Sequence, residues 1–163
     1  MINVLYISDI QVNSLQKLLS KYKLELRITS SSEEIPGSYW GDSEAGLINN
    51  QLFVRNDTPL HSALHEACHF ICMDRQRREN LDTNAEGDYD EENAVCYLQI
   101  LLADEIPELG RLKMMSDMDE WGYTFRLGSA KNWFEKDAED ALEWLVSFHL
   151  LDSSNQPNYQ LRQ

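Results

Sequence analysis

The spacing of apolar residues changes period several times along this chain, and each change marks an expected element. Ile2 to Ile7, with Val4, Leu5 and Tyr6, is a short apolar run that predicts a strand. Ser8-Asp9 can then cap a helix whose apolar positions Val12, Leu15, Leu18 and Leu19 recur at helical spacing to about Tyr22. Leu24, Leu26 and Ile28 alternate with Glu25, Arg27 and Thr29, the period of a half-buried strand, so the chain is expected to open with a β-α-β unit. Thr29 to Gly37 is mostly polar and reads as a loop that could flank a cleft. Between Ser38 and Arg55 short apolar bursts are separated by Gly41, Gly46 and Asn49-Asn50. Asparagine tolerates positive φ, so Asn49-Asn50 predicts the turn of a hairpin.

Helical spacing returns at Leu60, Ala63, Leu64, Ala67, Phe70 and Ile71, with Thr58 as the expected N-cap and Pro59 at the first helical position. Arg75, Arg77 and Arg78 suit the C-terminal end of that helix through its dipole. A polar stretch from Glu79 to Asp90 predicts a surface loop. A second stripe, Ala94, Val95, Leu98, Leu101 and Leu102, gives a helix from Glu91 to about Asp104 that stops before Pro107. Leu109 to Met118 reads as a further helix and Trp121 to Phe125 as a loop or short strand. Ser129 reads as the cap of one final helix carrying Trp133, Phe134, Ala138, Ala141, Leu142, Leu145 and Phe148. The polar end, Asp152 to Gln163, is expected to fray. Trp133, Trp144 and Phe148 follow helix spacing and read as core, whereas Trp40 and Trp121, beside glycines, could border a cleft. With no internal repeat and no linker, residues 1–163 read as a single domain of α+β class. Its small mixed or antiparallel sheet would pack on two central helices, with further helices toward the C-terminus.

Composition narrows the function classes. Twenty-eight acidic residues against fourteen basic ones give a net charge of −14, a field that repels phosphate backbones and anionic membranes, so neither nucleic acid nor membrane is an expected partner. No segment approaches the ~20 apolar residues of a membrane span, and Met1-Ile2-Asn3-Val4 lacks the basic start of a signal peptide. A cytoplasmic location is the expectation; a secretion route needing no amino-terminal signal would leave no trace. Cys68, Cys72 and Cys96 do not form a disulfide framework. They read as small core residues in preference to a closed Cys/His metal site, because ligands from one continuous helix cannot surround an ion.

The chemistry concentrates at His65-Glu66-Ala67-Cys68-His69, an H-E-x-x-H sequence. Histidines four apart lie about 40° from each other around a helix, so both imidazoles can reach one ion. Glu66 projects about a quarter turn away, where its carboxylate can serve a metal-bound water as base. Catalytic zinc takes three protein ligands and one open position. Asp88, Asp90, Glu91 and Glu92 are candidates for the third. Glu91 shares a face with Ala94, Val95, Leu98 and Leu102, and a carboxylate on a buried face needs a compensating partner, so helical phase favours Glu91 over Glu92. Alternatively, the cluster is only the acidic start of a helix.

His65-Glu66-Ala67-Cys68-His69 followed by Glu91-Glu92-Asn93-Ala94-Val95-Cys96-Tyr97-Leu98-Gln99-Ile100-Leu101-Leu102 resembles the gluzincin metallopeptidases, most closely the ImmA/IrrE-like group. That group's second helix reads roughly E-x-x-A-N-x-F-A-x-x-L-L-M-P, and its first Glu is a zinc ligand. Laid on this chain, that Glu falls on Glu91, Ala94 matches, Tyr97 stands for the aromatic, and Leu101-Leu102 match the paired leucines. Val95, Ala103-Asp104 and Cys68 depart from the pattern, and the resemblance covers about Leu47 to Leu102. It implies a minimal zincin fold and a zinc-dependent peptidase acting on a peptide or protein substrate, with His65, His69 and Glu91 as ligands and Glu66 as the catalytic base. Tyr123, His149, Tyr89 and His61 are candidate donors to the oxyanion. A regulatory binding protein built on the same scaffold, with little or no proteolysis, is the alternative. Neither substrate nor oligomeric state is legible.

Overall fold

A computed structural model describes residues 3–39 and 41–163; Ile2 of the expected first strand and Trp40 of the expected cleft border lie outside them. The chain is α+β. Among the described residues are α1 (Asn13–Lys21), β1 (Glu25–Ile28), β2 (Gly46–Ile48), β3 (Gln51–Val54), α2 (Leu60–Cys72), α3 (Arg75–Glu79), α4 (Tyr89–Leu102), α5 (Gly110–Trp121), α6 (Ala130–Lys136) and α7 (Glu139–Ser147). The sheet is mixed, in order β1-β3-β2, with β1 parallel and β2 antiparallel to β3. Asn49 takes φ 53° in the tight turn between β2 and β3, as the hairpin reading expects.

Among the described residues the first strand of the expected β-α-β unit does not form, although α1 and β1 do. Residues 4–7 bury Val4 and Ile7, three apart, where a strand would bury alternate positions, and Ile7–Asp9 is a 3-10 turn. This segment braces the start of α2 instead. Tyr6 bridges Pro59, Ile7 N donates to Thr58 O, and Leu60 N donates to Leu5 O at 2.8 Å. Leu5 N in turn donates to the buried Asp117 of α5 at 2.9 Å. One of the free N–H groups at the start of α2 is therefore satisfied by backbone. Thr58 is not the cap: its Oγ1 accepts from Arg55 N at 2.8 Å in the preceding turn, and Pro59 holds the N-cap position.

Every residue of α2 except His65 is buried, which makes it the axis of the molecule, packed against β2 and β3 of the sheet and against α4 and α5. The pairs His65–Gln99 and His69–Glu92 show that α2 and α4 run antiparallel. The arginine run does not extend α2. The helix ends at Cys72, and α3 begins anew after Asp74, whose side chain accepts from Arg77 N. Arg78 still serves the end of α2, donating to Phe70 O, Ile71 O and Met73 O.

The C-terminal third departs from expectation in two places. The single final helix is broken at Asp137-Ala138 into α6 and α7. The tail does not fray: Tyr159 packs edge-on against Tyr22 and donates to Glu105, and Arg162 reaches the end of α2. Trp133 is buried as expected, with Trp144 and Phe148 packed beside the core. No helix among the described residues is long and apolar enough to cross a membrane.

Candidate metal centre

The antiparallel packing of α2 on α4 brings His65, His69 and Glu92 together, one ligand atom from each lying within 4.8 Å of the other two. The two Nε2 atoms face each other at 3.1 Å, and Glu92 Oε2 is 3.4 Å from His69 Nε2. Nitrogens bound to one tetrahedral zinc at ~2.0–2.1 Å would be separated by about 3.3 Å, so the spacing suits a shared ion. Burial holds both imidazoles in the neutral form that metal binding requires, pushing His65 down and His69 well down from the ordinary histidine value.

Gln99 fixes which nitrogen of His65 is free. Its Nε2 donates to His61 O at 2.9 Å, so its Oε1 faces His65 Nδ1 at 2.8 Å and can only accept. Nδ1 therefore carries the proton and Nε2 presents its lone pair toward His69 and Glu92. An amide side chain that orients a ligating imidazole is a recurrent feature of metal sites. On this donor chemistry the residues present fit a zinc ion.

Glu91 is buried but faces away from the histidines. Arg77 grips its carboxylate with two bonds of 2.8 Å each, and Arg162 adds a third at 2.9 Å. The premise that a buried carboxylate needs a compensating partner holds; the partner is a pair of guanidinium groups. Glu92, about 100° further round α4, is the residue that reaches the histidine pair. Its other oxygen, Oε1, accepts from Gly87 N at 3.2 Å.

Glu66 sits at the junction of two cavities. One, of about 250 Å³, is lined by His65, His69, Glu92, Glu86, Thr83 and Tyr39 among others; the second, of about 500 Å³, by Glu44, Ser62, Trp121, Gly122 and Tyr123. His65 and Glu66 line both. Burial, reinforced by Glu44, Glu92 and Glu86, pushes the Glu66 carboxyl up to about 8, and burial pushes Glu92 up to about 7. In the second cavity Glu44 is clamped by Ser62 Oγ at 2.5 Å and Trp121 Nε1 at 2.9 Å.

Comparison with models of protein families, with characterised proteins and with solved structures finds no match.

Of the candidate oxyanion donors, Tyr123 alone lines a cavity shared with His65 and Glu66. Gly122, at φ 108°, ends α5 in the left-handed conformation and turns the next residue back, with Tyr123 N donating to Met118 O. Tyr123 Oη is 3.1 Å from His61 Nδ1, while His61 Nε2 is buried without a partner. An orphaned N–H is rarer than an orphaned lone pair, which favours the proton on Nδ1. Burial keeps His61 neutral, lowering it to about 3. Tyr89 is exposed at the start of α4, and neither it nor His149 lines either cavity. Trp121 lines the second cavity, as the cleft reading anticipates. Cys68 and Cys72 are buried, burial pushes Cys96 up to about 12, and none joins the ligand cluster.

Sequence reasoning does not single out Gln99 or Glu44, and it places Arg77 only in the basic run after α2, not on Glu91. Gln99 had a usable signal: a polar residue inside the apolar run Leu98 to Leu102, seven after Glu92 and hence on nearly the same helix face. Glu44 lies in an irregular segment where no periodicity operates.

Proposed function

We propose that this chain is a zinc-dependent metallopeptidase in which His65, His69 and Glu92 hold the ion and Glu66 is the general base. The observation that carries the reading is convergence: three ligand atoms meet in one cluster, and Glu66 lies next to it where two cavities join. A substrate lying across that junction would have room on both sides of the scissile bond, which suits a peptide better than a compact small molecule. Among the described residues, four glutamates and no lysine or arginine line the two cavities, an environment that disfavours acidic substrate segments.

Zinc held there would supply a Lewis acid that acidifies a water and polarises a carbonyl. Glu66, lining both cavities beside the cluster, would take the proton of the attacking water and pass it to the leaving amine. The Tyr123 hydroxyl, receiving a hydrogen bond from His61 Nδ1, keeps its own proton for the oxyanion of the tetrahedral intermediate. Gln99 holds His65 in the ligating tautomer.

The test pairs metal analysis with a peptide-library cleavage assay read by mass spectrometry. Wild type should purify with or take up one equivalent of zinc and cleave a subset of peptides, and Glu66→Gln should keep the zinc and lose cleavage by at least ~100-fold. Cleavage undiminished in Glu66→Gln, or no zinc uptake by wild type, contradicts the assignment.

A further inference from the structure

Arg162, in the tail, is bonded to both metal-bearing helices. Its backbone N donates to Ile71 O at 3.0 Å, and its Nη1 donates to Cys72 O at 3.1 Å and to Glu91 Oε1 at 2.9 Å. Its guanidinium lies 3.9 Å from the centroid of the Phe148 ring, and Arg78 Nη2 donates to its carbonyl at 2.7 Å. One residue thus joins the last turn of α2, just beyond His69, to the first turn of α4, just before Glu92. Those are the ends from which two of the ligands project toward each other.

From Glu91 the contact continues into the site. A Cβ added at Gly87 would overlap the Glu91 carboxylate, so the backbone at Gly87 rests directly on that side chain. Gly87 N is the donor to Glu92 Oε1, and Arg77, the other partner of Glu91, holds the adjacent Glu86 O at 3.1 Å. The Arg162–Glu91–Arg77 cluster therefore sets the backbone that selects which oxygen of Glu92 is left for an ion.

We propose that Arg162 is a positioning residue for the metal centre: it clamps the end of α2 to the start of α4 through Glu91, and Glu91 through Gly87 fixes the orientation of Glu92. The proposal rests on the zinc reading above. Arg77 would still hold Glu91 without Arg162, so loss of Arg162 loosens the clamp and leaves the buried carboxylate paired. Groups that orient metal ligands change affinity by ~10–100-fold when removed.

Calorimetric zinc titration of the metal-free protein tests it, with thermal melts followed by circular dichroism alongside. The set is wild type, Arg162→Ala, Arg162→Lys and Leu15→Ala, the last a buried residue of α1 that takes no part in the site. Arg162→Ala should bind zinc about tenfold more weakly, and Arg162→Lys, which keeps the charge but loses the fork, at least about threefold more weakly. Leu15→Ala should lower the melting temperature at least as far while its zinc affinity stays within about twofold of wild type. If Arg162→Ala does not fold, Arg162→Lys decides by the same threshold. Wild-type affinity in the folded Arg162 variants overturns the clamp alone, as does an equal loss in Leu15→Ala, which would trace the effect to global stability. No zinc binding by wild type overturns the metal reading and the clamp with it.

Discussion

The first turn of α4 carries two adjacent carboxylates into opposite surroundings. On one flank Glu91 meets two arginines and is 3% exposed; on the other Glu92 meets two neutral histidines and the backbone of Gly87. The first is a closed ion cluster in which the carboxylate is neutralised by the protein's own arginines. The second gathers donors with no protein cation among the groups they touch, and burial with neighbouring Glu86 and Glu91 raises its proton affinity. What distinguishes the two carboxylates is whether a protein cation already faces them: two arginines close on Glu91, and neutral imidazole faces Glu92.

Substitutions at the two carboxylates and at Gln99 separate the two environments, and zinc affinity should respond most at Glu92. Glu92→Gln should weaken zinc binding by more than about 100-fold, beyond the loss typical of groups that only orient a ligand, as read by calorimetry. Gln99→Leu should cost about 10–100-fold, because His65 loses the acceptor that fixes its tautomer. Glu91→Gln should cost zinc affinity only about tenfold but destabilise the fold by about 3 kcal/mol in urea titration, since Arg77 and Arg162 lose their counter-charge. That figure is the low end of the usual range because both arginines remain partly exposed.

The pH dependence has opposite signs for the two kinds of group at the centre. Glu66 at about 8 and Glu92 at about 7 lie above the value of 4.5 that carboxyls of this type take when unperturbed. The metal-free fold therefore binds protons that the unfolded chain has released; their stabilisation is full below about pH 4.5 and is lost as pH rises through about 7 and 8. His65 and His69 are lowered, so their contribution is present above about pH 6.5 and is lost as pH falls. The melting temperature of the metal-free protein should fall from pH 6.5 to 9, and zinc should raise it more at pH 8 than at pH 6.5, because the ion competes with the carboxyl protons. Glu92→Gln should flatten the fall.

Legibility from sequence followed the same physical divide. The hairpin, α2, the stripe of α4 and the pairing of His65 with His69 were readable because local periodicity and turn chemistry determine them. The first apolar run reads as a strand in the sequence, but its partner is the chain entering α2, fifty-three residues away, and not another strand. For the same reason helical phase points to Glu91, whereas the carboxylate beside the histidines is Glu92. Helical phase shows which residue is buried but not that Arg162, seventy-one positions later, returns to neutralise it. Tyr123 was one of four candidates until the turn at Gly122 separated it from the others. Polarity predicts a frayed tail, yet Arg162 within it joins Arg78 in capping the end of α2.

The most direct test of the metal centre is a parallel zinc titration of Glu91→Gln and Glu92→Gln under conditions where both are folded. The account predicts that Glu91→Gln still binds one equivalent, and that Glu92→Gln binds at least about tenfold more weakly than Glu91→Gln. Tighter binding by Glu92→Gln than by Glu91→Gln would contradict it and return the third ligand to Glu91.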